Sequence, residues 1–156
     1  MSSRNEAAAA LDDISGQIIE QLQQDGRRPY STIAKAVGLS EAAVRQRVQK
    51  LTDAGIIQIV AVTDPLQVGM FQQAMVGIKV DGPVDEVTKA LADIPETSYV
   101  VVTAGSFDIL CEIVCADHEH LTEMLFNRIR SIPGVRGTEA FVYLGLRKQT
   151  YQWGAQ

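Results

Sequence analysis

The spacing of hydrophobic residues divides the chain into two parts. Up to about residue 53 they recur every three or four positions, as in amphipathic helices. In the first such run, residues 11–24, Leu11, Ile14, Ile18 and Leu22 share one face, and Asp25 with Gly26 ends the helix. Beyond Phe71, short β-branched runs alternate with helical ones. The pattern therefore predicts an all-helical beginning followed by a mixed α and β region.

Two short helices that meet at a sharp turn are predicted between residues 30 and 51. Gly38 can adopt the left-handed conformation that ends a helix, and Ser40 can cap the next one with its hydroxyl. Val44, Val48 and Leu51 then fall on one face of the second helix, toward a core. This arrangement is typical of a helix-turn-helix, which places its second helix in the major groove of DNA.

The outward face of that second helix carries a small residue and long hydrogen-bond donors, which suit base edges and thymine methyl groups. The alternative is an ordinary solvated helix face. Charge favours DNA: residues 27–50 contain six cations and one acid, whereas the whole chain has a net charge of -5. The predicted DNA contacts are Arg27, Arg28, Ser40, Ala42, Arg45, Gln46, Arg47, Gln49 and Lys50.

A strand is predicted after the third helix, because residues 56–62 are rich in β-branched side chains. Three helices and a strand form a winged helix-turn-helix. The sequence thus predicts a flexible tail over residues 1–10, a winged helix-turn-helix domain over 11–63, a linker over 64–71 and a second domain over 72–156.

The second domain is predicted to be a ferredoxin-like βαββαβ unit, which makes the whole chain α+β. Its predicted strands are residues 73–80, 99–104, 109–116 and 135–146, and its helices are 84–93 and 117–132. Two helices cover only one face of such a sheet. Since the strands over 74–80 and 140–144 are apolar, we expect another subunit to cover the other face, so that the protein is a dimer at least.

Composition limits the other possibilities. No apolar run is long enough for a membrane span, and residues 1–10 lack the features of a signal peptide, so we expect a cytoplasmic protein with no membrane partner. Cys111 and Cys115 are expected to be reduced core residues. His118 and His120 lack a partner motif for a metal site. We expect no metal, no cofactor and no catalytic residues, since the sequence has no phosphate loop, triad or paired acid and base.

The chain resembles the leucine-responsive regulatory protein/asparagine-synthase regulator (Lrp/AsnC) family of transcription factors. The resemblance spans residue 11 to about 147, with Gln58-Ile59 and Thr52 as departures from the usual Gly-Tyr and acidic residue. It rests on eight motifs in order: LDDI at 11–14, LQQDGR at 22–27, VGLS at 37–40, RVQKL at 47–51, GII at 55–57, Asp64-Pro65 with Gly69, GSFD at 105–108 and IPGV at 132–135.

The resemblance implies a DNA-binding domain and a regulatory domain that dimerises, often assembles dimers into an octamer and binds an amino acid between subunits. The implied pocket lies by the 105–108 turn, where Asp108 would hold the ligand's ammonium and the amides of Gly105 and Ser106 its carboxylate. The alternative role for Asp108 is to cap the turn. The predicted effector-binding residues are Val102, Thr103, Ala104, Gly105, Ser106, Phe107, Asp108, His118, Thr138, Glu139 and Phe141.

Two other functions are compatible with this fold. An architectural DNA-compacting protein would keep the DNA contacts without a working effector site. An enzyme could use the ferredoxin-like domain, although the sequence offers no catalytic group for it. The hypothesis favoured by the residues is a DNA-binding transcriptional regulator that responds to an amino acid or a related small metabolite.

Overall fold

The computed structural model describes residues 11–149, which form parts of two compact units. The first includes the residues up to Val62, and the second runs Thr63–Arg147. The predicted tail over 1–10 and the last seven residues of the predicted second domain lie outside the described part. No helix within residues 11–149 is long and apolar enough to cross a membrane.

The first unit contains three helices: α1 (Asp13–Gln24), α2 (Tyr30–Val37) and α3 (Glu41–Asp53). Asp12 caps α1, and Ser40 caps α3 by accepting the amide of Ala43. Gly38 ends α2 at a φ of 71°, the left-handed conformation that glycine adopts without strain. The predicted turn is therefore confirmed. The core of this unit consists of Ile18, Leu22, Ile33, Ala34, Val44 and Val48.

The predicted strand over residues 56–62 is wrong for the single chain. These residues form no strand, because no other described segment offers them a ladder of hydrogen bonds. The amides of Ile56 and Ile57 instead donate to the carbonyl of Leu51 and close the end of α3. Val60 and Val62 are exposed. The helix-turn-helix thus has no wing in the described part of the chain, and a 3-10 turn, Pro65–Val68, lies in the predicted linker.

The second unit has the predicted βαββαβ order. Its strands are β1 (Gln72–Val80), β2 (Thr97–Val102), β3 (Ile109–Cys115) and β4 (Val135–Val142), with helix α4 (Val84–Ala92) and helix α5 (His118–Glu123) as crossovers. All neighbouring strands are antiparallel, in the order β2-β3-β1-β4. This is the ferredoxin-like sheet, and the α+β fold class is confirmed.

One face of the sheet packs on the helices. Alternate residues of β1 and β3 point inward, and they meet Val87 and Leu91 of α4. Cys111 and Cys115 are free and buried, as predicted. Burial raises the pKa of the Cys111 thiol to about 11, and the nearby Glu112 charge adds to the rise. The core from the sheet comprises Ala74, Val76, Ile78, Ile109, Cys111, Ile113 and Cys115.

The last predicted helix, over residues 117–132, is only partly α-helical. After α5 the chain continues as a π-helix, Met124–Ile129, in which the amide of Arg130 donates to the carbonyl of Leu125. The wider turn keeps Met124 and Ile129 both fully buried. Strand β4 also ends earlier than predicted, at Val142.

Neither helix of the second unit, as far as residues 63–147 describe it, packs on the other face of the sheet. Tyr99 is 53% exposed and Phe141 47% exposed on it, beside Met75 and Leu110. Our expectation that all of residues 74–80 would be covered by another subunit is wrong in part, because Ala74, Val76 and Ile78 point to the chain's own helices. Only the alternate residues of β1 are available to a partner.

Candidate nucleic-acid interface and regulatory turn

The face of helix α3 that is predicted to contact bases is exposed to solvent, because the hydrophobic stripe on the opposite side of the helix packs in the core. Val44 is completely buried and Val48 nearly so. Ala42 and Gln46 point away from that stripe and are exposed. Gln46 has no hydrogen-bond partner among residues 11–149 and can therefore use its amide on a base edge.

Two further side chains of this face have weak intrahelical partners. Arg45 pairs with Glu41 at 2.9 Å, and its guanidinium lies 5.2 Å from the centre of the Tyr30 ring. Gln49 donates to Asp53 at 2.7 Å. Pairs this exposed contribute little to stability, so both side chains can exchange them for contacts to DNA. Ser40, in contrast, already uses its hydroxyl on the amide of Ala43 at 3.2 Å.

Arg47 has partners at the start of α1. Its guanidinium donates to both carboxylate oxygens of Asp12, at 2.9 and 2.7 Å, and to the hydroxyl of Ser15 at 3.1 Å. Asp12 also accepts the amide of Ser15 at 2.8 Å. Hydrogen bonds from Ser15, and then from Arg47, lower the pKa of Asp12 to about 2. These bonds join α3 to the start of α1 and favour a positioning role for Arg47, while its contact with DNA stays a prediction.

The cations expected to contact phosphates lie at the ends of the motif: Arg27 and Arg28 precede α2, and Lys50 lies in the last turn of α3. Arg27 and Lys50 are exposed. Arg28 is half-buried and donates to the side-chain oxygens of Gln21 and, at 3.2 Å, Gln24. Arg27 and Lys50 are thus the freer cations of this set, and long side chains of this kind reach phosphates without strict geometry.

The turn between β2 and β3 is held by its flanking residues. The amide of Thr103 donates to the carbonyl of Asp108 at 2.9 Å, and its hydroxyl donates to the carbonyl of Phe107 at 2.7 Å. Ala104, Gly105 and Ser106 are exposed, and no described residue accepts the amides of Gly105 and Ser106. The tip of the turn therefore presents free donors above a fixed base, and Val102 is exposed beside it.

Asp108 joins this turn to the end of β1. Its amide donates to the carbonyl of Ile78 at 3.0 Å, and its Oδ2 accepts the amide of Val80 at 2.8 Å. The sheet has a register irregularity at this point, between Lys79 and Val80. One carboxylate oxygen of Asp108 is thus structural, whereas Oδ1 has no partner among the described residues. The carboxylate caps β1 rather than the bend of its own turn.

Phe107 fixes the turn from the other side. Its ring lies over Gly77 so closely that a Cβ at Gly77 would be 2.6 Å from it. The ring also meets Phe141 edge to face, with 6.2 Å between centroids. The β1–β4 register sets Thr138 opposite Ile78 and Glu139 opposite Gly77. Phe107, Glu139 and Phe141 therefore share the open face of the sheet, whereas Thr138 lies on the helix-covered face, where its hydroxyl accepts a hydrogen bond from Arg130 at 3.0 Å.

His118 does not belong to this group within the chain. It follows β3, whereas the 105–108 turn precedes β3, and the seven residues of that strand span roughly 23 Å. Within one chain His118 is therefore far from the turn, and its place in a pocket shared between subunits stays a prediction. Its neighbour His120 instead contacts Glu96 in a separate cavity, which sequence reasoning missed because Glu96 is 24 positions away.

Glu112 is another residue that the sequence did not indicate. It accepts hydrogen bonds from Tyr143 at 2.9 Å and from Ser98 at 2.5 Å on the open face of the sheet. Burial, with the Glu112 contact, raises the pKa of Tyr143 to about 12. Among residues 11–149, no three His, Cys, Asp or Glu side chains converge as metal ligands do.

Comparison with known protein families gives a match over nearly all of the chain. Residues 11–52 match the AsnC-type helix-turn-helix domain. Residues 70–156 match an AsnC-type regulatory model described as a C-terminal dimeric alpha+beta barrel domain.

Individual proteins agree with this match. The chain is 37% identical to the HTH-type transcriptional regulator FL11 of Pyrococcus horikoshii over 142 residues, which cover 90% of this chain and 93% of that one. It also resembles the solved leucine response regulatory protein of Mycobacterium tuberculosis, with a TM-score of 0.84, 31% identity and coverage of 92% and 99%. A Neisseria meningitidis transcriptional regulator, solved in complex with L-Met, has the same fold with a TM-score of 0.79, 24% identity and coverage of 91% and 95%.

Proposed function

Because the chain belongs to the Lrp/AsnC family of transcriptional regulators, which are not enzymes, we propose that it reads a specific DNA sequence and that an amino acid bound to its regulatory domain changes this binding. The main observation behind the proposal is the exposed face of α3. Ala42 and Gln46 point outward there, while the buried residues on the opposite side of the helix pack in the core.

DNA reading is assigned to Arg45, Gln46 and Gln49, with Ala42 available for a thymine methyl group. Arg27, Arg28 and Lys50 supply phosphate contacts. A single helix of this size reads too few base pairs for specificity, so two copies are needed on successive major grooves, roughly 34 Å apart.

The amino-acid site is assigned to the 105–108 turn. Oδ1 of Asp108 is open to an ammonium group, while the amides of Gly105 and Ser106 are open to a carboxylate. These two features lie within four consecutive residues, which suits a ligand as short as an α-amino acid. The L-Met complex of the Neisseria regulator supports this ligand class.

The protein acts as a dimer in this proposal, with dimers associating further around the turn. The open face of the sheet, with Tyr99, Phe141, Met75 and Leu110, provides the surface that a second copy would cover. The description of the matching regulatory domain as dimeric supports this arrangement.

The test is a selection of bound DNA from a random pool, followed by binding measurements on the enriched site with each of the twenty amino acids. The proposal requires an enriched two-fold symmetric sequence and a saturable change in affinity with at least one amino acid. If no sequence is enriched, the protein binds DNA as an architectural protein. If a sequence is enriched but no amino acid changes the affinity for it, the assignment of the amino-acid site to the 105–108 turn is wrong.

A further inference from the structure

The regulatory domain contains a cavity that lies away from the 105–108 turn. Its volume is about 350 Å³, within the usual range for small-ligand sites. Apolar contacts come from Met70, Pro95 and Val114, and the polar groups are Glu96, Ser98 and His120. Val114 and Ser98 lie on the open face of the sheet, so this side of the cavity borders the surface assigned to a second copy. Glu96 precedes β2 and the turn follows it, so the strand's six residues separate the two places by roughly 20 Å.

Glu96 is held rigidly at this cavity. Its carbonyl accepts the amide of Val114 at 2.9 Å, which extends the pairing of β2 with β3 by one residue. The side chain is only 24% exposed. One carboxylate oxygen, Oε2, is buried and accepts no hydrogen bond from any described residue. A buried carboxylate oxygen without a hydrogen-bond donor is costly, and the accessible part of the Glu96 side chain must provide any contact to a ligand.

His120 orients toward this carboxylate but compensates it poorly. Its Nδ1 accepts the amide of Ala116 at 3.3 Å, so the ring's proton lies on Nε2. Nε2 is 3.4 Å from Oε1 of Glu96, a long contact. No Lys or Arg of residues 11–149 forms an ion pair with Glu96.

The surroundings are negative as well. Burial raises the pKa of the Cys115 thiol, and the charges of Glu96 and Asp117 raise it further. The cavity therefore combines an undercompensated carboxylate with apolar walls. An anion would be repelled here, whereas a cation with an apolar body would fit both features.

We propose that this cavity, the Glu96–His120 cavity, is a second small-molecule site that binds a primary ammonium group carried on a short apolar chain. Glu96 anchors the ammonium, His120 positions Glu96, and Met70, Pro95 and Val114 contact the chain. The site does not depend on the 105–108 turn, so its ligand need not carry a carboxylate.

The test uses the intact chain with ¹³C-methyl methionine, whose signals remain visible in large assemblies. Met70 lines the cavity, Met75 lies on the open face of the sheet and Met124 is in the core, so the three report on different places. The probe is n-butylammonium chloride, titrated to about 10 mM, a range suited to so small a ligand. Matched probes are n-butanol, sodium butyrate and sodium chloride.

We expect a saturable shift of the Met70 signal with n-butylammonium and none with butyrate or sodium chloride. Glu96→Gln, which preserves shape and removes the charge, should weaken binding at least about tenfold. Asp108→Asn should leave n-butylammonium binding unchanged. No saturable Met70 shift, equal binding of n-butanol, or unchanged affinity in Glu96→Gln would each overturn the proposal.

This outcome is separable from that of the amino-acid site. Loss of the amino-acid response in Asp108→Asn, with the Met70 shift retained, would support both sites. A retained response in Asp108→Asn with a lost Met70 shift in Glu96→Gln would remove the turn assignment and keep the Glu96–His120 cavity.

Discussion

Arg47, in the second helix of the helix-turn-helix, donates hydrogen bonds to both carboxylate oxygens of Asp12, with N to O distances of 2.9 and 2.7 Å. The two residues are 35 positions apart, and their contact joins α3 to the cap of α1. A side chain that looks like a DNA contact in the sequence thus joins the reading helix to α1. We expect it to act on DNA through the placement of its neighbours.

Replacement of Arg47 by Met should therefore lower the melting temperature in the absence of DNA. The matched control is Arg45→Met, which removes an exposed pair with Glu41 and should leave the melting temperature nearly unchanged. Thermal melting by circular dichroism measures both variants. Equal melting temperatures for Arg47→Met and the wild type would return Arg47 to the surface that contacts DNA.

The Asp12 contact also predicts an acid dependence of stability. The pKa of Asp12 falls from 3.8 to about 2 on folding, chiefly through Ser15. A lowered carboxyl pKa contributes stability that is present above the unfolded value and is lost as the pH falls through the folded value. Wild type should therefore lose more stability between about pH 4 and pH 2 than Asp12→Asn does. Parallel curves for the two proteins over that interval would exclude this linkage.

Gln46 and Lys50 should have different effects on DNA binding. Gln46→Ala removes a base contact and should cost ~1–3 kcal/mol on the preferred sequence, with relaxed preference at one position. Lys50→Gln should weaken all sequences alike and reduce the salt slope by about one unit. Fluorescence anisotropy on the selected site and on random DNA, over a salt series, separates these effects. The readout assignment is wrong if Gln46→Ala keeps the wild-type ratio between the two DNAs.

Gly77 and Phe107 should be strongly coupled. A Cβ on Gly77 would be 2.6 Å from the Phe107 ring, so Gly77→Ala must displace the ring and should destabilise the protein by ~1–3 kcal/mol. In a Phe107→Ala background the same change should cost much less, because the ring is gone. Urea unfolding of the four proteins measures this cycle. If the losses in the free energy of unfolding from the two substitutions are additive, the Phe107 ring does not restrict which side chain fits at position 77.

The helix-turn-helix was predictable because its signals are local. Gly38, Ser40 and the Val44-Val48-Leu51 stripe act within a few positions, where periodicity and capping decide the structure. The prediction of a strand over residues 56–62 was wrong because β-branched residues only favour an extended backbone. A strand also needs a partner strand, and the described residues of this chain do not provide one. The π-helix at Met124–Ile129 has no signal in the spacing of its side chains.

The candidate site was predictable only in part, for a related reason. The group at the 105–108 turn was found through a resemblance to a family motif, and the sheet register brings Glu139 and Phe141 to the same face as Phe107. The sequence did not predict three contacts between residues that are far apart along the chain: Arg47 with Asp12, Asp108 with the amide of Val80, and Glu96 with His120. Each of them depends on how elements meet in three dimensions, which a single sequence does not encode locally.

The Asp108→Asn variant tests whether the 105–108 turn couples an amino acid to DNA binding. The amide oxygen of Asn can still accept the amide of Val80, so the fold is kept while the charge for the ligand's ammonium is lost. We expect wild-type melting temperature and wild-type operator affinity without ligand. Effector affinity should fall by ~1.5–3 kcal/mol, about ten- to a hundredfold. An unchanged effector titration in this stable variant would contradict the account.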